Sequence, residues 1–192
     1  MSIMASSTLS STVNKTLSLN VGCGSKPIPD TIGVDQILTP AVNVLASIED
    51  SLPFGSQSFE RIYAYQVLEH VTNLQGFMKE AHRLLCVGGR LIIEVPYFRS
   101  SWSHMDPTHV RHFTMLTFDY FVRGSYLGSE ENAHATHHVA FSRIEKSLII
   151  GPSPLGVKRA AGRLALRFPE LFENSLLSSV FIFHGLHVEL IK

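Results

Sequence analysis

The sequence predicts an α/β fold: an open, mainly parallel sheet with helices on both faces and a last strand antiparallel to the others. Three observations carry this. Short apolar, β-branched runs bounded by turn residues recur along the chain, as strands buried on both faces should. A helical pattern separates two of them, so strands and helices alternate as in a layered sandwich. The stretch LNVGCGSKPIPDTIGVDQ, residues 19–36, joins one apolar run to a glycine turn and ends a second run in an acid, which is the order of a nucleotide-binding unit.

The elements follow in order. Strands are expected at Leu17–Val21, Thr31–Val34, Val42–Leu45, Phe59–Tyr63 and Arg90–Val95. The clearest helix is Leu74–Leu85, where Leu74, Phe77, Met78, Ala81 and Leu85 share one face. Asn73 is placed to cap its start, and Gly88-Gly89 to end it and turn the chain into RLIIEV. After Pro96 the sequence becomes aromatic, His-rich and irregular. A short helix is expected at Leu116–Val122, then the polar loop GSYLGSEENAHATHH. The remainder holds a strand (Arg143–Ile150), a helix (Val157–Phe168) and a final strand (His187–Ile191), read as a closing hairpin split by an insertion. In that helix Val157, Ala161, Leu164 and Phe168 fall on one face, while Lys158, Arg159, Arg163 and Arg167 occupy others. The pattern is that of a helix covering the core, or of one resting on a membrane or an anionic ligand.

Composition bounds the function. A chain of 192 residues makes one domain that buries roughly 70% of its unfolded surface. Residues 1–16 read as a flexible tail and 17–192 as a single domain; the tail could alternatively close over the active site. Lys+Arg and Asp+Glu balance at 16 each, so no overall field steers the chain to nucleic acid or an anionic membrane. No apolar run approaches the ~18 residues of a membrane span. The start, MSIMASSTLSSTVNK, is hydroxyl-rich and acid-poor, yet it has no Arg and a single Lys, unlike a transit peptide. The two cysteines, Cys23 and Cys86, fit neither a disulfide framework nor a zinc site; reduced thiols in a cytoplasmic protein are expected.

The stretch between Gly24 and Thr31 excludes one class of ligand. Pro27 and Pro29 leave no room for a regular helix. A dinucleotide site needs a helix N-terminus there, because its free N–H groups hold the pyrophosphate. The third glycine of such a site is also absent. The glycine turn still lets a ligand lie against the backbone, and Asp35 can accept hydrogen bonds from a ribose diol. A cofactor with a ribose and no phosphate fits, namely S-adenosylmethionine.

The order NVGCG, GVD, LPF, SFERIYAYQVLEHV and EAHRLLCVGGRLIIEVP, with DPTHVR at Asp106–Arg111, closely resembles the class I, Rossmann-like S-adenosylmethionine-dependent methyltransferases. It looks most like their compact bacterial methyltransferase-domain group, in which a proline-rich turn replaces the first helix. The resemblance covers about Leu17 to Phe113. It implies that Gly22, Cys23 and Gly24 line the methionine end, that Asp35 holds the ribose with Gln36 beside it, and that Tyr65 and Gln66 lie near the methionine. The family usually places an acid against the adenine amino group. Here Ser47 stands at that position, with Ile48 next, and either Ser47 or the nearby Glu49 or Asp50 would serve. Residues 97–142 would form an insertion on the acceptor side.

Methyl transfer needs alignment above all, and a hydroxyl acceptor also profits from a general base. His104, Asp106 and His109 follow the fifth strand, where open α/β sheets bind ligands. One reading makes His104 or His109 the base, oriented by Asp106. Another lets Asp106 cap a turn while His109 and Arg111 knit the loop. A third gives Arg111 an anionic acceptor. Trp102, with Tyr97 and Phe98, would wall the acceptor or simply pack. Glu69-His70 reads as mainly structural. No metal is expected, because His104, Asp106, His109, His134, His137 and His138 fit no standard ligand spacing. The sequence therefore points to a methyltransferase acting on a hydroxyl or amine of a small-molecule acceptor, without nucleic acid; the alternative is a non-catalytic cofactor- or partner-binding protein on the same fold. Oligomeric state is not legible.

Overall fold

The structure, a computed structural model, describes residues 17–125, 127, 139–151 and 157–192. The expected tail and most of the polar loop, with His134, His137 and His138, lie outside the described residues.

Seven strands form one sheet: β1 (Ser18–Val21), β2 (Thr31–Asp35), β3 (Val44–Leu45), β4 (Phe59–Tyr65), β5 (Leu85–Pro96), β6 (Arg143–Ile149) and β7 (Gly185–Ile191), in the order β3-β2-β1-β4-β5-β7-β6. β1 to β5 are parallel, and β7 runs antiparallel between β5 and β6. Central β1 is buried along its whole length, as expected where neighbours pair on both sides. Edge strand β6 alternates exposed Arg143 and Glu145 with half-buried residues, a charged edge that discourages further pairing.

The helix α1 (Leu74–Leu84) buries Leu74, Phe77, Met78, Ala81 and Leu84. Its cap is as expected: Asn73 Oδ1 accepts the Gly76 N–H at 2.9 Å. Its end differs. Leu85 is already extended and pairs with Phe59, so the chain enters β5 without a turn. Gly88 and Gly89 lie inside β5, where the register slips between Phe59 and Arg61 and Gly88 takes φ +78°. They make a bulge rather than a helix stop. The carbonyls at the helix end need no glycine cap, because Lys192 Nζ donates to His82 O at 2.7 Å and the N–H groups of Gln57 and Ser58 donate to Arg83 O at 2.9 Å and Leu84 O at 2.8 Å.

The expected helix near residue 116 is a 3₁₀ turn, Thr117–Phe121, and a second 3₁₀ turn spans Leu68–His70. The short α2 (Trp102–Met105) precedes the DPTHVR segment. In α3 (Val157–Arg167) the buried residues are Gly162 and Ala165, while Val157, Leu164 and Phe168 are exposed. The expected apolar face is therefore corrected by part of a turn. The reason is close packing: Phe183 stands 3.5 Å from where a Cβ on Gly162 would sit, so the small residues take the inner face. With α4 (Pro169–Glu173) and α5 (Leu177–Val180), α3 builds a second apolar cluster of Tyr97, Met115, Ala165, Phe172 and Phe183 beside the main core. Among the described residues no helix is long and apolar enough to cross a membrane.

Candidate active site

At the carboxyl end of β1 the chain turns through Gly22 (φ +62°) and Gly24 (φ +50°). A Cβ on Gly22 would lie 2.3 Å from Val67 Cγ2, so a side chain is excluded on steric as well as torsional grounds. Asp35 ends β2. Its Oδ2 accepts the Gly24 N–H at 2.8 Å and its Oδ1 the Ile37 N–H at 2.9 Å. The carboxylate thus fixes both loops, and each oxygen keeps a second lone pair. No helix stands between β1 and β2. Buried Asn20 donates to Lys26 O at 3.2 Å and supports the proline turn from beneath.

These loops face a cavity of about 520 Å³ that Gly22, Asp35, Gln36, Ser47, Ile48 and Gln66 help to line. It sits where chain order reverses at β1, the switch point at which such sheets bind ligands. Gln66 leaves β4 with φ +51° and donates its N–H to Glu94 O at 2.8 Å. Cys23 and Gly24 are not among the lining residues. The Cys23 thiol is buried 3.6 Å from Ala41 O, and burial together with the Asp35 charge raises its pKa. Tyr65 is also off the cavity, its ring 5.7 Å from that of Tyr63; burial and Glu94 hold its phenol above the ordinary value. Glu49 lines the cavity, but its carboxylate accepts the Thr72 N–H at 2.7 Å and the Thr72 hydroxyl, which lowers its pKa. The Ser47 hydroxyl accepts the Glu49 N–H at 3.2 Å. Asp50 belongs to a separate hollow beside α1.

The DPTHVR segment folds against the 3₁₀ turn after β4. Asp106 Oδ1 accepts from Thr108 N (2.8 Å) and Thr108 Oγ1 (2.6 Å), which lowers the Asp106 pKa. Val110 N–H donates to Glu69 O at 2.9 Å. His70 Nδ1 lies 3.0 Å from Thr108 Oγ1, and its ring centroid is 4.8 Å from that of His109. His109 Nδ1 meets Ser103 O at 3.3 Å, and its Nε2 is 4.0 Å from Asp106 Oδ2. Glu69 is 2% exposed, and its Oε2 has no hydrogen-bond partner among the described residues; burial raises its pKa. His104 stands apart, with Nε2 2.7 Å from Phe98 O and its ring 4.4 Å from His112. Arg111 donates from Nη2 to Thr72 O at 2.9 Å and borders a different hollow. Trp102 is exposed on α2.

Six further lining residues escaped the sequence reading as site residues: Ile37, Ala46, Val67, His70, Val71 and Thr108. For His70 and Thr108 a signal existed, since both lie inside the EH and DPTH segments. Their meeting across the fold was not legible.

Residues 28–93 match the family described as a methyltransferase domain. The match takes in Asp35, Ser47, Gln66 and His70 and stops before Asp106. None of the curated proteins compared with the chain matches it. Among solved structures, a SAM-dependent methyltransferase from Archaeoglobus fulgidus is similar at TM-score 0.59 and 16% identity, over 92% of this chain and 86% of that one. The fold is that of the Rossmann-like methyltransferases. The YcgJ protein of Bacillus subtilis shares it at TM-score 0.53 and 19% identity, over 92% of both chains. A SAM-dependent methyltransferase from Thermotoga maritima does so at TM-score 0.51 and 17% identity, over 91% of this chain and 81% of that one. In the methyltransferase fold of this chain, the cavity and the DPTHVR segment occupy the same carboxyl edge of the sheet.

Proposed function

We propose that this chain is a cytoplasmic S-adenosylmethionine-dependent methyltransferase acting on a hydroxyl or amine of a small molecule. The observation that carries the reading is Asp35: a carboxylate with free lone pairs at the end of β2, beside a glycine turn and on a cavity of about 520 Å³. That volume is within the range of small-molecule sites, roughly 300–1,000 Å³. The turn offers backbone at close range and no helix N-terminus for a pyrophosphate.

Gly22 and Gln66 would face the amino-acid end, Asp35 and Gln36 the ribose, and Ser47 and Ile48 the base. Cys23 and Gly24 support the turn through backbone, and Tyr65 supports Gln66 from the strand. Bound there, S-adenosylmethionine would supply an electrophilic methyl group on a sulfonium. The chain's part is to align the acceptor, which contributes up to roughly 7–11 kcal/mol for a near-attack geometry. The insertion, residues 97–142, would approach from the open side. Of the catalytic candidates, His109 with Asp106 is the pair beside cavity-lining Thr108, so the base role for a hydroxyl acceptor goes to His109. His104, directed to Phe98 O, would shape the insertion. Trp102 offers an apolar surface to the acceptor, and Arg111 steadies the loop through Thr72.

Calorimetric titration with S-adenosylmethionine, S-adenosylhomocysteine and NAD tests this. Micromolar binding of the first two, weakened at least tenfold in Asp35→Ala, is the expected result. Binding of NAD alone, or of none, overturns the cofactor assignment. Cofactor binding without turnover in an acceptor screen would favour the non-catalytic alternative.

A further inference from the structure

We propose that Glu69, His70 and His109 form a binding site for a divalent transition-metal ion at the rim of the cavity. One ligand atom from each of the three lies within 4.8 Å of the other two, close enough for a single ion to bridge them after small side-chain adjustments. The buried carboxylate is the independent observation. Glu69 is 2% exposed, yet its Oε2 has no partner among the described residues. A buried carboxylate is normally paired, hydrogen-bonded or coordinated to a metal.

Both imidazoles are prepared in the same way. His109 Nδ1 faces Ser103 O at 3.3 Å. His70 Nδ1 faces Thr108 O at 3.4 Å and Thr108 Oγ1 at 3.0 Å. The carbonyls only accept, so each Nδ1 carries the hydrogen and each Nε2 keeps its lone pair. A hydrogen bond from the far nitrogen to a carbonyl is the usual way a metal-bound imidazole is oriented. Asp106 Oδ2, 4.0 Å from His109 Nε2, adds a carboxylate just outside. Two imidazoles and a carboxylate suit Zn²⁺, Co²⁺ or Fe²⁺ rather than the oxygen-seeking Mg²⁺ or Ca²⁺. The ligands come from segments far apart in sequence, joined by the Val110 to Glu69 hydrogen bond, so no short ligand spacing announces them.

Of the three ligands His70 lines the cavity, as does its neighbour Thr108, so an ion held by His70 would stand at the cavity wall. There the ion would take an oxygen or nitrogen donor of the acceptor, and a bound hydroxyl would lose its proton more readily. With the ion bound, His109 would be its ligand, and the base role given to His109 above would belong to the metal-free chain. This last step rests on the methyltransferase reading; metal binding does not.

The test uses the full chain, stripped with chelator and titrated with Co²⁺ and then Zn²⁺, following the visible absorption of bound cobalt and the ion retained after dialysis. One equivalent should bind with a spectrum distinct from the aqua ion. His70→Gln, at an exposed position, and Glu69→Gln, of equal size, should each weaken binding by tenfold or more. Asp106→Asn should weaken it by about 10-fold, as loss of an outer partner does. A cobalt spectrum that stays that of the aqua ion overturns the proposal, as does unchanged affinity in a folded His70→Gln. Titration of the stripped chain with S-adenosylmethionine is read separately. Cofactor binding without metal binding defeats the ion alone, and metal binding without cofactor defeats the methyltransferase reading alone.

Discussion

Asp35 and Gly22 show how much one residue can decide. The spacing of a glycine turn and an acid was readable because both act through local backbone: a positive φ and a strand end. Gly22→Ala combines a left-handed conformation, at roughly 1–2 kcal/mol, with a Cβ placed 2.3 Å from Val67 Cγ2. It should lower the urea midpoint by more than Gly24→Ala does. Gly24 has the same sign of φ and open space around its Cβ, so only the torsional part remains. His70 was not readable as a site residue. Its meaning comes from Thr108, a contact between residues 38 apart, and no local pattern encodes it. His82 gives a pH-dependent prediction. Burial, then Lys192, lowers its pKa below the ordinary 6.5. A group depressed in the folded state contributes stability that is present above its unfolded pKa and lost as pH falls through the folded value. Measured against His82→Gln, the parent chain should therefore lose ground in its denaturant midpoint on acidification below about pH 6.5.

Among the elements, α1 was read almost correctly because its apolar period and its cap are both written in its own residues. Asn73→Ala should cost about 1 kcal/mol in the urea midpoint, as loss of an N-cap does. Its far end was misread because the cap is remote: Lys192, Gln57 and Ser58 close the carbonyls that a glycine would otherwise have closed. The same helix clasps the LPF loop. Arg83 donates to Phe54 O (2.9 Å) and Leu52 O (3.3 Å), while Glu80 accepts the Leu52 N–H (2.8 Å). Arg83→Met should loosen this loop, seen as faster amide exchange at Leu52. The face of α3 was misjudged for a related reason. The period showed that one face is apolar, but Phe183 selects the small residues for contact.

Across the whole molecule, the mainly parallel sheet and the direction of β7 were foreseeable from the alternation of elements and the late hairpin. What the sequence did not show is how the last helices attach. Glu173 on α4 does much of this: its Oε1 accepts from Tyr97 OH at 3.1 Å and Met115 N at 2.8 Å. Burial outweighs these bonds and raises its pKa above the ordinary 4.5. A carboxyl raised in the folded state contributes stability present below its unfolded pKa and lost as pH rises through the folded one. Glu173→Gln keeps an accepting oxygen and cannot ionise. The difference in urea midpoint between this variant and the parent chain should shift in favour of the variant as pH rises from about 4.5 to neutrality.

The place of β7 has one more consequence. Arg90 on β5 meets Glu189 on β7, 99 residues later in the sequence. During synthesis the apolar LIIEV run therefore leaves the ribosome with β4 on one flank and no partner on the other. Chains held at that stage present an open strand to their neighbours, so nascent-chain yield should depend on how quickly the ribosome completes the last strand.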